Sequence, residues 1–210
     1  YFNRDWCEMI DEPPTDVIKR VRGWDFAATE PSTTGAHSNP DYTAGVLMSK
    51  DKFGTYYVED VVRFRYRTDR VLKEVIATAV NDGIADVDVS IPCDVGSSGK
   101  TAAAYYLRVL SEAGVYAKAK TVTGHSSKMS RFKPLCALAE SGNLKVVKAD
   151  WNKDFFDELE NFKEDKRVQR YFKDDMLDAA SDCFIHLART QSLPIFAVNP
   201  LTQSSPIPKI

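Results

Sequence analysis

Five aspartates in three separate stretches concentrate the chemistry of this chain. Asp25 closes the run VIKRVRGWD, Asp94 follows the apolar run IADVDVSIPC, and Asp174, Asp175 and Asp178 open the segment DDMLDAASD. A carboxylate at the exit of a buried strand is costly to desolvate unless something positive compensates it, so what Asp25 faces matters. On a helix, Asp174 and Asp178 stand at i, i+4 and Asp175 and Asp178 at i, i+3, which places two or three carboxylates on one side of a first turn. Acids favour helix N-termini through the macrodipole alone. A carboxylate after the first strand, another after the fourth and a pair opening a late helix are nevertheless the hard oxygen donors that a divalent cation needs.

Such acids need rigid elements beneath them. At 210 residues, 43% of them hydrophobic and 11% aromatic, the chain can bury a full core in one α/β domain. Residues 1–16 contain DEPP and read as a linker leading into the domain, with Trp6 able to dock. Residues 17–190 form the domain, and residues 191–210, with four prolines, an irregular tail or docking segment. The first strand spans 17–28, and TEPSTTGAHSNPD after it is a loop long enough to border a site. Residues 42–49 and 54–67 are β-rich runs separated by the hairpin punctuation SKDKFG, so three successive strands make an antiparallel meander. A helix over 69–82 follows, with the apolar stripe Val71, Leu72, Val75, Ile76, Ala79 and Val80, a cap at Thr68 or Asp69 and a stop at Gly83. Strand 84–92, helix 98–113 and strand 115–122 compose a β-α-β unit, which implies parallel pairing. A helix over 129–140, the short strand LKVV, the amphipathic WNKDFFDELENF helix and the charged loop KEDKRVQRYFK come next. The last helix, 174–189, buries Met176, Leu177, Ala180, Cys183, Phe184 and Leu187.

Several classes of function are disfavoured. No apolar run approaches the roughly 20 residues of a membrane span. The chain opens at Tyr1 in polar sequence, with neither an initiator Met nor a signal peptide, and reads as part of a longer soluble protein. Cys7, Cys93, Cys136 and Cys183 are scattered without CxxC spacing, which argues against a disulfide framework or zinc site and for a reducing cytoplasm. The run DVGSSGKT sits where a phosphate-binding P-loop would, after a strand and before a helix. That loop needs glycine five residues before Gly99, and Asp94 there would repel phosphates. Gly96 and Gly99 read better as letting the chain turn tightly so that Asp94 reaches the sheet edge, with Lys100 solvated.

With a net charge of −2, any nucleic-acid surface must be local. Arg63, Arg65 and Arg67 share one face of an alternating strand, opposite Phe64 and Tyr66, as either a solvated face or a phosphate-contacting one. Lys128, Arg131 and Lys133 near a helix start, and Lys118 and Lys120 alternating on the preceding strand, are each solvated cations alone and together a phosphate track. His37, His125 and His186 have no partners at ligand spacing and are assigned no catalysis, while Asp41 reads as a turn former able to approach the site.

RGWDFAAT, NPDYTAGV, the strand ending before Asp94 with its glycines, KMSRFKPLCALAESGNLKVV and DDMLDAASD resemble the nuclease domain of tailed-phage terminase large subunits, over residues 17–189. The resemblance implies a ribonuclease-H-like α/β fold: a mixed sheet, antiparallel meander then parallel strands, flanked by helices. It implies an endonuclease that cuts double-stranded viral DNA concatemers during packaging by two-metal-ion hydrolysis with Mg²⁺ or Mn²⁺. Asp25, Asp94 and Asp175 map onto the family's catalytic acids. Asp25 would bridge both ions, Asp94 would bind one and Asp175, helped by Asp174, the other. Asp178 would support the ligands or face solvent. Lys128, Arg131, Lys133, Arg63 and Arg65 would contact DNA. Family members often carry His before the paired aspartates, and here it is Lys173. Implied partners are an upstream ATPase motor in the same polypeptide, the portal and the small terminase subunit, in the host cytoplasm with no membrane. A junction resolvase or transposase would keep the same acids, and a binding module without catalysis would keep only the fold.

Overall fold

The computed structural model describes residues 1–27, 41–93, 96–121, 127–169 and 172–189. Its strands are β1 (Glu8–Ile10), β2 (Lys19–Asp25), β3 (Thr43–Lys50), β4 (Tyr56–Phe64), β5 (Val87–Cys93), β6 (Ala117–Thr121) and β7 (Leu144–Val147). The helices are α1 (Thr68–Asp82), α2 (Ser97–Glu112), α3 (Lys128–Glu140), α4 (Asn152–Asn161), α5 (Lys166–Gln169) and α6 (Asp175–Ala188). The strands form one sheet in the order β1-β7-β4-β3-β2-β5-β6. β2, β3 and β4 pair antiparallel as a meander, while β2 with β5, β5 with β6, β4 with β7 and β1 with β7 pair parallel. This is the mixed sheet the resemblance implies.

Two apolar layers sandwich the sheet. One face packs on α3, α4 and α6 through Val21, Val46, Met48, Phe132, Leu135, Phe155, Met176 and Leu177. The other packs on α1 and α2 through Trp24, Val75, Val89, Ile91 and Leu110. The alternation of β2 explains the split: Val21 and Gly23 turn to α6, whereas Arg22 and Trp24 turn to the α1 side. Arg22 is fully buried there, and its charge is compensated by a bidentate bond to Asp82 at 2.7 Å and another to Asp60 at 2.8 Å.

Three local expectations change. Residues 1–16, expected as a linker, hold a 3-10 turn at Arg4–Trp6 and β1 on the sheet edge, because Phe2 and Cys7 are apolar anchors buried in the core. Three-residue strands are too short for periodicity to reveal. At the start of α1, Arg67 rather than Thr68 or Asp69 takes the cap position, with no side-chain cap bond. The charged segment expected as loop contains the short α5.

Candidate active site

β2 delivers Asp25 to the C-terminal edge of the sheet, and α6, packed across β2 and β3, begins beside it. Gly23 makes that approach possible. A Cβ there would lie 2.7 Å from Cys183 Sγ and 2.8 Å from the Ala179 carbonyl, so any larger residue would push α6 off the strand. The first turn of α6 is fixed from a second direction by Glu158 of α4. This buried carboxylate accepts hydrogen bonds from the Met176 and Leu177 backbone N–H groups at 2.6 and 3.0 Å, capping donors that the helix itself leaves unpaired. Burial pushes the Glu158 carboxyl up to about 7 despite those bonds and despite Arg63 at 3.6 Å.

The α6 acids fall into two groups. Asp174 and Asp178 are ion-paired: Lys128 Nζ stands 2.6 Å from each, and Arg131 donates to Asp178 at 3.0 Å, although burial still raises the Asp178 carboxyl pKa against those cations. Lost hydration alone would lower the Lys128 pKa, but Asp178 and Asp174 outweigh it and hold the lysine protonated. Asp175 is buried and accepts only the Tyr42 backbone N–H, at 3.3 Å, among the described residues. Burial, with Asp41 and Asp174 adding repulsion, pushes its carboxyl up to about 6. Asp25 goes well above the usual carboxylate range, first through burial and then through Asp178, with Lys128 opposing and Asp175 and Asp174 adding to the rise.

Among the described residues, no three His, Cys, Asp or Glu side chains stand together as a ready metal shell. The mutual influence of Asp25 and the α6 acids is compatible with this, because charge acts over several ångströms while coordination needs oxygens within about 2.0–2.6 Å of the ion. The donor chemistry suits a hard divalent cation. The candidate donors are carboxylate oxygens, and Asp25 and Asp175 are destabilised as anions and lack a hydrogen-bonded cation among the described residues.

Asp94 lies outside the described residues, as do His37 and His125. The structure brings Asp25, Asp174, Asp175 and Asp178 to one end of the sheet. Lys128 and Arg131 both pair with those acids, Lys128 keeping a partly exposed side chain and Arg131 a largely buried one. Lys133 is exposed on α3. The guanidinium groups of Arg63 and Arg65 lie 3.7 and 3.6 Å from the Tyr42 ring centroid, next to Asp175. Arg63 also reaches Glu158, and Lys173 pairs with Asp41 at 2.7 Å. Glu158 and Tyr42 escaped the sequence reading: a buried Glu in a helix looks like any polar-face residue until its distant partners are known.

A mixed sheet with carboxylates at one strand edge and on the adjoining helix start defines a ribonuclease-H-like α/β protein. Residues 22–187 match the family described as the Terminase RNaseH-like domain, and the chain belongs to that family. The fold is similar to the large terminase nuclease from thermophilic phage G20c with bound zinc: TM-score 0.58, 17% identity, covering 86% of this chain and 94% of that one. It is also similar to the Thermus phage P74-26 large terminase nuclease domain, with TM-score 0.58 and 16% identity over 86% and 90% of the two chains. The G20c nuclease with bound magnesium aligns at TM-score 0.56 and 16% identity over 86% and 93%. No curated protein matches the chain significantly. Among the described residues, no helix is long and apolar enough to cross a membrane.

Proposed function

We propose that this domain is a divalent-metal-dependent endodeoxyribonuclease that cuts double-stranded viral DNA concatemers during genome packaging. The observation that carries it is the meeting of Asp25 with the buried first turn of α6, where carboxylates are held at an energetic cost that a cation would relieve. Membership of the terminase family supports the substrate, and the zinc and magnesium bound in similar terminase nucleases support the cation class. Asp25 and Asp175 would hold the ions, with Asp94 as a third ligand. Two Mg²⁺ or Mn²⁺ ions, when bound, supply the positive charge that acidifies water and neutralises the leaving oxygen.

The chain's own groups do the rest. Lys128 and Arg131 neutralise Asp174 and Asp178, so the net charge facing a phosphodiester falls without a ligand being removed. Glu158 fixes the backbone of the α6 start, and the Tyr42 N–H holds one oxygen of Asp175 so that its carboxylate cannot rotate freely. Arg63 and Arg65, stacked on Tyr42, and exposed Lys133 are the DNA-contacting cations of this reading. An ATPase motor in the same polypeptide, the portal and the small terminase subunit would be its partners in the host cytoplasm.

Asp25→Asn, Asp94→Asn and Asp175→Asn each keep shape while removing ligand charge. Each is expected to abolish Mn²⁺-dependent plasmid nicking and leave the far-UV circular dichroism unchanged. Wild-type nicking by any one removes that residue from the site. Strong preference for branched over linear duplex would favour a junction-resolving enzyme instead, and a wild type that binds DNA without cutting it would favour a binding module.

A further inference from the structure

Beyond the acid cluster, α6 packs mainly on β2 and β3, and among the described residues a cavity of about 510 Å³ lies between its far flank and the same face of β5 and β6. Lys19, Lys118, Lys120 and Arg189 line it with Asp88 and His186. Asp88 accepts from Lys19 at 2.9 Å and His186 at 3.2 Å, with Lys118 at 3.5 Å, and buried Asp182 binds Lys120. Four cations thus meet two carboxylates, an excess of two positive charges in a chain whose net charge is −2. Arg189 and Lys118 are exposed, so this excess faces solvent.

One stripe of α6 leads from the acid site to the cavity. Asp178, Asp182 and His186 recur at i, i+4 and i+8 on one stripe of α6, and each meets a group across the groove or at its end: Lys128 and Arg131, then Lys120 and Ser90, then Asp88. From Asp178 to Arg189 the helix rises about 16 Å, or roughly five nucleotides at 3.4 Å per nucleotide of one strand. Lys118 and Lys120 alternate on one face of β6, about 6.7 Å apart, close to the axial rise of two nucleotides.

We propose that the groove between α6 and the β5–β6 edge is a phosphodiester-binding track that holds DNA about five nucleotides beyond the site of cleavage. The inference rests on the nuclease reading for the identity of the polyanion. A linear array of cations leading away from the acids suits a repeating phosphate backbone, which has one charge per nucleotide.

The test is binding of a mixed-sequence duplex of about three helical turns, followed by fluorescence anisotropy against salt in EDTA. The Lys118→Ala, Arg189→Ala double variant is expected to lower the slope of log affinity against log salt by about two, near 0.9 per lost phosphate contact, and to weaken low-salt binding roughly tenfold or more. The charge-preserving pair Lys118→Arg, Arg189→Lys should restore the slope, and Lys73→Ala with Lys148→Ala, which removes equal charge elsewhere, should leave it alone. Melting curves establish that each variant is folded. A wild type that binds and cuts DNA while the groove variant keeps its full slope overturns the track alone, as does an equal drop in the control pair. A wild type that neither binds the duplex nor nicks plasmid with Mn²⁺ overturns the nuclease reading and takes the track with it.

Discussion

Asp175 illustrates how one buried carboxyl sets a pH dependence for the whole fold. An unfolded aspartate titrates near 3.9, whereas burial and neighbouring acids raise Asp175 to about 6. Between those values the folded state binds the proton more tightly than the unfolded one, so stability rises as pH falls through this window and is lost above it. At about 1.4 kcal/mol per unit, the penalty near neutrality is on the order of 2–3 kcal/mol for Asp175, with Asp25, Asp178 and Glu158 adding in the same direction. His186, whose burial lowers its pKa, acts oppositely, taking up its proton more readily when unfolded. The comparison with Asp25→Asn separates the two effects. In EDTA, wild type should melt higher at about pH 5 than at neutrality, and Asp25→Asn should melt higher than wild type at neutrality with a flatter pH profile. A wild-type melting temperature that falls steadily on acidification, unaltered by Asp25→Asn, would contradict the crowded-acid site.

At the scale of elements, the site depends on how α4 and β2 hold the start of α6. Glu158→Ala leaves two backbone N–H groups without their acceptor, and a lost cap costs about 0.5–2 kcal/mol. Glu158→Gln keeps an acceptor oxygen, so it should recover most of the stability and of the Mn²⁺-dependent cutting, which Glu158→Ala should lower by displacing Asp175. Equal activity in the two variants would show that the cap does not position Asp175. Gly23→Ala should destabilise more, by about 1–3 kcal/mol, because its Cβ would overlap Cys183 Sγ and the Ala179 carbonyl. A thermal melt matching wild type would mean that α6 shifts freely. These two residues also mark where sequence reasoning stops. Local signals placed β3, β4, α1, α3, α4 and α6, since β-rich runs, hairpin punctuation, helix stops and apolar stripes are each read within one segment. The i, i+3 and i, i+4 spacing of Asp174, Asp175 and Asp178 was legible for the same reason. That Glu158 caps a helix beginning 17 residues later, or that Lys128 serves Asp174 and Asp178, depends on packing between distant segments that no spacing encodes.

For the whole molecule, the acid site couples metal binding to folding. Without a cation, the sheet edge and α6 bring anions together that the unfolded chain keeps apart, and Lys128 and Arg131 offset only those on Asp174 and Asp178. A cation that binds only the folded protein stabilises it by RT ln(1 + [L]/Kd), about 2.7 kcal/mol at a hundredfold excess over Kd. For a chain of this size each kcal/mol moves the melting temperature by about 2–4 °C, so saturating Mn²⁺ or Mg²⁺ should raise it by about 5–10 °C over EDTA. The rise should shrink on acidification through about pH 6, because Asp175 must release its proton to act as a ligand. Asp25→Asn and Asp175→Asn should start from a higher metal-free melting temperature and gain less from the ion, since each removes one repelling charge and one ligand together. Melting wild type and both variants with EDTA and with excess Mn²⁺, at neutral and acidic pH, reads all of these effects in one set of curves. A wild type indifferent to metal at both pH values, with variants no more stable in EDTA, would leave the acids as separately solvated charges and remove the basis for metal-dependent cutting.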